Sequence, residues 1–195
     1  MGRTRALVGL SAVGVGVVVL LVIALAAAGG DGPRRASGPF SWLRPVSRPA
    51  GWKIARTPGG ATLAYPPGWT PVKTDPGTAS VALSDSGGRI DGYLNVTPRQ
   101  GAETLADWSR FRPRKNTAEG DRNVRLLAAI GNAPFPSARG SCVIDTYTTS
   151  VTSYEEIACL VAGRGSSDVV VAAAPTALWQ ERSVALEQAV ASFVV

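Results

Sequence analysis

The sequence predicts an α+β domain, an antiparallel sheet of about six to eight strands packed with two helices, preceded by one transmembrane helix. Three observations predict it. An uncharged run, broken only by glycines and Ser11, extends from Ala6 to Ala28. After Gly51, short apolar segments separated by turn residues follow one another without intervening helices, which argues against a βαβ plan. Only two segments, one around Leu105 to Phe111 and one from Pro175 onward, carry apolar residues at helical spacing.

Residues 1–5 hold Arg3 and Arg5 and read as the cytoplasmic n-region of an export signal. The 23 residues of 6–28 would, at ~1.5 Å rise per residue, cross a hydrocarbon core of ~30 Å. That length exceeds a usual signal core and favours an uncleaved signal-anchor, with the remainder of the chain outside the cytoplasm. The alternative is a secreted protein, cleaved at Ala24-Leu25-Ala26 or Ala26-Ala27-Ala28. No cysteine follows the run, so lipid attachment there is excluded. Residues 29–50, rich in Gly, Pro, Ser and Arg, are expected to form a disordered linker, its Phe40 and Trp42 isolated among arginines suited to lipid head groups.

The domain is expected over 51–195. Trp52 to Arg56 and Ala61 to Tyr65 flank Thr57-Pro58-Gly59-Gly60 as a hairpin. Tyr65-Pro66-Pro67-Gly68-Trp69 then forces an extended exit, because neither proline can donate to a ladder. Ala79 to Leu83 and Ile90 to Thr97 are the next strands. Leu105, Trp108 and Phe111, at spacing three, predict a short helix stopped by Pro113. Val124 to Ile130, Ser141 to Thr149, Tyr154 to Ala162 and Asp168 to Ala174 are four more strands. The last helix, from Pro175-Thr176, presents Trp179, Leu186, Val190 and Phe193 on one face.

The Tyr65-Pro66-Pro67-Gly68-Trp69 entry, the mid-chain helix, the long central hairpin and the final helix ending in Ala191-Ser192-Phe193 resemble the PsbP-like superfamily. That group includes Mog-type and mycobacterial LpqN-type proteins. The resemblance covers about residues 51–195. It implies a curved antiparallel sheet packed on helices and a non-catalytic binding or assembly role, with no shared catalytic set to carry over.

Charge and composition narrow the function. Residues 1–50 hold six arginines against one aspartate; residues 51–195 hold 14 Lys/Arg against 13 Asp/Glu. The folded part is therefore nearly neutral and lacks the footprint of a nucleic-acid binder. The chain has no histidine, which removes Ser-His-Asp and Cys-His catalysis and His-ligated zinc. No metal or cofactor site is expected. Three lysines against seventeen arginines, with abundant Ala, Val and Gly, point to a high-GC bacterium.

Three constellations remain. A hairpin centred near Ser150-Val151 makes opposed residue numbers sum to 301, which sets Cys142 against Cys159 and Ile144 against Ile157 on one face, and Tyr147 against Tyr154 on the other. Opposed cysteines can be bridged, and a disulfide fits an oxidising compartment; the bland alternative is two buried thiols. The same register opposes Asp145 and Glu156, a like-charge pair that costs stability unless it serves as a raised-pKa acid or a cation site; the alternatives are a register slipped by one or two residues or a solvated strand face. Arg110, Arg112, Arg114 and Lys115 cluster at the helix exit, as a partner or anion contact or as a solvated loop. Together these suggest an envelope module that binds another protein, with a carrier or sensor of a lipid or small molecule as the alternative and a carboxylate-pair enzyme a distant third.

Overall fold

The computed structural model describes residues 38–195; the n-region 1–5, the expected membrane span 6–28 and residues 29–37 lie outside the described residues. Among the described residues, no helix is long and apolar enough to cross a membrane.

Among the described residues, nine strands and two helices follow one another. They are β1 (Lys53–Arg56), β2 (Thr62–Tyr65), β3 (Thr70–Val72), β4 (Ala79–Ser84), β5 (Ile90–Pro98), α1 (Trp108–Ala118), β6 (Arg122–Phe135), β7 (Ala138–Thr148), β8 (Ser153–Ala162), β9 (Ser167–Pro175) and α2 (Trp179–Ala191). A single 3-10 turn, Thr176–Leu178, leads into α2. Seven strands form one sheet in the order β3-β4-β5-β9-β8-β7-β6, and every neighbouring pair is antiparallel. The expected first hairpin forms but stays apart as a two-stranded sheet. Thr62 of β2 also exchanges backbone hydrogen bonds with Val194, at 2.7 and 3.2 Å, so the chain end is tied down.

Strand alternation sends apolar side chains to both faces of the sheet. Leu94, Val96, Cys142, Ile157, Cys159, Val161 and Val170 meet Leu186, Ala189, Val190 and Phe193 of the C-terminal helix region and Leu63 of the hairpin in the main core. A fully buried Leu or Phe side chain there contributes ~1.5–3 kcal/mol. On the opposite face Val143, Ala158, Leu160, Val171 and Ala173 form a smaller core with Trp108. A sheet covered on both faces needs apolar residues at successive positions, which is why Ile157 to Val161 is an unbroken apolar run.

Three local expectations are corrected. The Tyr65–Trp69 exit leads into a further strand, β3. Gly68 takes a positive φ of 87° to make the turn, and Trp69 then lies across Gly92, where a Cβ would come within 2.6 Å of the indole. Pro71 is tolerated inside β3 because β3 is an edge strand. Secondly, α1 runs through Pro113 to Ala118, although the proline cannot donate to the carbonyl of Ser109. Contacts with the sheet on both sides of Pro113 outweigh that loss. Thirdly, the disordered linker expected over 29–50 does not extend through 38–50. Leu43 is buried in the main core, Phe40 and Trp42 pack against it, and the Val46 N–H donates to the Ala191 carbonyl. The domain therefore includes residues from 38 onward, ahead of the expected start at Gly51.

Candidate functional site

The site begins with the β7–β8 register. Cys142 pairs with Cys159, Ile144 with Ile157, Asp145 with Glu156 and Tyr147 with Tyr154, the pairing that a sum of 301 requires. Cys142 and Cys159 form a disulfide with their Cα atoms 4.1 Å apart, in the main core. Asp145 and Glu156 face the other way, toward α1, next to the stacked rings of Tyr147 and Tyr154. Both carboxylates are fully buried. A solvated strand face is thereby ruled out, and so is a slipped register.

Helix α1 supplies what makes this burial tolerable. Trp108, Arg112 and Asn116, four residues apart, form one stripe along the helix. The Trp108 indole N–H donates to the Ala158 carbonyl at 2.9 Å. One turn on, Arg112 grips Glu156 with both prongs, Nε to Oε1 at 2.6 Å and Nη2 to Oε2 at 2.9 Å. A further turn on, the Asn116 amide donates to Glu156 Oε1 at 3.3 Å and to Asp145 Oδ2 at 3.5 Å. Asp145 Oδ1 has no hydrogen-bond partner among the described residues.

Two negative charges cannot share this site with one guanidinium. Burial, and then the charge of Glu156, push the Asp145 carboxyl up to about 8, with Arg112 only partly opposing them. Near neutral pH, Asp145 therefore holds a proton, and Arg112 pairs with Glu156. Burial works against the Arg112 charge, but the Glu156 carboxylate and its hydrogen bonds win, and the guanidinium is held more firmly protonated than usual. Burial, followed by Glu156, raises the Tyr147 phenol as well. The cluster is a neutralised polar core that fastens α1 to the sheet.

Because α1 lies over β6, β7 and β8, the β9–β5 part of the same face is left uncovered. The result is a cleft of about 640 Å3. Its floor includes Tyr93, Asn95 and Thr97 of β5 and Val169 and Val171 of β9. Trp108, Phe111, Arg112, Lys115 and Glu119 line it from the helix side, and Glu156 reaches it from the sheet. Thr74 to Thr78 and Gln100 to Glu103 contribute the remaining rim. Among the described residues, no group of three or more Cys, Asp or Glu could hold a metal ion.

No protein-family model matches the chain, and no curated protein matches it in sequence. Solved structures do match. The solution structure of cyanobacterial PsbP from Synechocystis sp. PCC 6803 superposes with a TM-score of 0.55 at 20% identity, covering 74% of this chain and 92% of that one. The chain has the PsbP-like fold. A Pseudomonas aeruginosa protein of unknown function, described as a putative regulator, matches with a TM-score of 0.49 at 14% identity, over 74% of this chain and 96% of that one. LpqN, involved in cell envelope biogenesis of Mycobacterium tuberculosis, matches with a TM-score of 0.41 at 12% identity, over 77% and 88%.

Within this PsbP-like domain the expected basic cluster does not stay together. It lies on α1, not in a loop at a helix exit. Arg112 turns inward to Glu156, while Arg110 pairs with Asp107 and Lys115 with Glu119 at 2.9 Å. Arg114 Nε donates to the Arg110 carbonyl at 3.0 Å. Sequence reading at spacing three, through Leu105, Trp108 and Phe111, missed the stripe at spacing four. Asn116 is missed with it. The available signal was Trp108, Arg112 and Asn116 at equal intervals, two polar groups on the stripe of a buried tryptophan.

Proposed function

We propose that the chain is a membrane-anchored extracytoplasmic module of the bacterial cell envelope that binds without catalysing, and that it works through the α1 side of its sheet. The half-covered face carries the reading, because α1 and the floor strands enclose a preformed recess on rigid elements. The Cys142–Cys159 disulfide supports an oxidising compartment, and the 6–28 run with its preceding arginines supports export and anchoring. The carboxylate pair favours holding over chemistry, since both Glu156 oxygens are occupied by Arg112.

The leading partner is another envelope protein, contacting α1 through the exposed Arg110, Arg114 and Lys115. A photocrosslinker placed at Thr117 in intact cells should trap the domain with a defined envelope protein. Reversing Arg110, Arg114 and Lys115 together should abolish the crosslink with little change in melting temperature. Arg112 must be left alone, because its loss strands a buried carboxylate. Persistent crosslinks after the reversal would remove those three residues from the contact. A second reading, a carrier or sensor of a small molecule or lipid, is favoured by the volume of the cleft, which falls within the ~300–1,000 Å3 of ligand pockets.

A further inference from the structure

We propose that the cleft beside α1 binds a hydroxyl-rich small molecule bearing a protonated amine, of amino-sugar type, and rejects anions. The inference rests on the reading of this face as the binding face and names the chemistry it accepts.

The floor is polar where a sheet would ordinarily be apolar. Leu94 and Val96 of β5 are fully buried in the main core, so the alternate residues Tyr93, Asn95 and Thr97 line the cleft. They are tied into a chain. The Tyr93 hydroxyl donates to Ser80 Oγ at 3.1 Å, Ser80 Oγ donates to Asn95 Oδ1 at 3.0 Å, and Asn95 Nδ2 donates to Thr97 Oγ1 at 3.2 Å. Thr78 Oγ1, on the rim, reaches Thr74 Oγ1 at 2.6 Å. Hydroxyl and amide groups in such a chain keep unused donor and acceptor positions, already oriented. A ligand with several hydroxyls can use them at little ordering cost. Val169, Val171 and Phe111 offer an apolar surface to the carbon side of a sugar ring.

Charge decides the rest. The lining contains Arg112 and Lys115 as its only Lys or Arg, against Asp75, Glu103, Glu119 and Glu156. Glu156 takes Arg112 and Glu119 takes Lys115. Among the described residues this leaves no free cation in the lining, and leaves Asp75 and Glu103 over. Glu103 is only 6% exposed; its Oε1 accepts the Gln100 N–H at 3.0 Å, and its Oε2 has no partner among the described residues. Gly101 passes so close that a Cβ there would come within 2.7 Å of Oε2. A buried carboxylate oxygen without a partner is costly, and an ammonium hydrogen, met by a shift of the Glu103 side chain toward the cleft, is the partner that best satisfies it. An anion contact was one of the readings the basic run allowed at this helix; the charges lining the cleft favour a cation instead.

The test is a titration of the full-length chain in detergent micelles with glucosamine, glucose and glucose 6-phosphate, read by NMR at the Asn95 and Gln100 side-chain amides. Glucosamine should shift both and bind about tenfold more tightly than glucose, the worth of one charge-assisted hydrogen bond, while the phosphate ester produces no shift. Glu103→Gln, nearly isosteric, should erase the preference for the amine. Thr97→Val should weaken both sugars equally. Glucose 6-phosphate binding as well as glucosamine would overturn the proposal. So would silent amides with every sugar up to about 10 mM, well above a millimolar dissociation constant. Silence together with intact crosslinks from α1 in cells would sink the ligand and spare the binding module; loss of both would sink both.

Discussion

Replacing Asp145 by Asn tests the central electrostatic claim most directly. Asp145 is fully buried, faces Glu156 across the hairpin, and lies among Arg112 and Asn116 of α1, Tyr147 of β7 and Asp121 beyond the helix. Its folded-state carboxyl is raised to about 8, by burial first and Glu156 second. In the unfolded chain it titrates near the ordinary ~3.9. The folded protein therefore binds the extra proton between these values, and stability must fall as pH rises through that window. The contribution is complete below the unfolded value and is lost as pH passes the folded one. At ~1.4 kcal/mol per pH unit, the loss between pH 5 and pH 8 comes to about 3–4 kcal/mol. An asparagine carries no charge at any pH, and its amide can donate to Glu156 as the protonated acid does. Urea unfolding of both proteins across that range should show a falling wild-type stability and a much flatter variant that overtakes it at pH 8. Other carboxyls that burial pushes up, the half-buried Glu187 and the buried Asp168 among them, are common to both proteins and cancel in the difference. Parallel pH profiles would refute the claim that Asp145 holds a proton.

Three other outcomes are expected. Arg112→Met should cost about 3–5 kcal/mol in urea unfolding because it leaves Glu156 buried and uncompensated, and Glu156→Gln in the same chain should recover most of it. Thiol counting under denaturing, non-reducing conditions should find no free cysteine, and Cys142→Ala with Cys159→Ala should cost ~3 kcal/mol for a bridge of sequence separation 17; two free thiols in protein from the envelope would contradict the pairing. Pro113→Ala should raise stability by about 1–3 kcal/mol by restoring a helical hydrogen bond, and a loss of stability would show that the proline itself helps to seat Arg112.

Much of the fold was legible because it is written in local periodicity. The central hairpin is the clearest case. Once its turn is placed at Ser150-Val151, period-two alternation leaves no freedom, and four cross-strand pairs follow from one number. The features that escaped were those settled by tertiary contact. A three-residue strand containing Pro71 has no periodicity of its own and exists because β4 offers it an edge. Residues 38–50 have linker composition, yet a single leucine, Leu43, finds a place in the core and brings its neighbours with it. Strand β6 runs on to Phe135 through Gly131-Asn132, a pair with the look of a turn, because register shifts absorb the break and Asn132 accepts a positive φ of 55°.

The site was half legible, and the missing half changes its meaning. Sequence brought Asp145 and Glu156 together and saw that the pairing needed a reason; it could not see that Arg112 was the reason. Two physical facts hid it. Arg112 stands between Arg110 and Arg114 and next to Pro113, so composition assigns it to an exposed basic run and local propensity ends the helix there. Only the docking of Trp108 on Ala158, 50 residues away in sequence, fixes which side of the helix meets the sheet. From that one contact the rest follows at 3.6 residues per turn: Arg112 comes down over Glu156, and Asn116 over the gap between the two carboxyls. The same event takes Arg112 out of circulation. A helix that by sequence offers four positive charges to a ligand instead uses one on Glu156, one on Glu119 and one on Asp107. Among the described residues, the cleft beside it is then left with unpaired Asp75 and Glu103, and on the proposal made for this cleft the docking of a tryptophan sets the sign of the charge it takes.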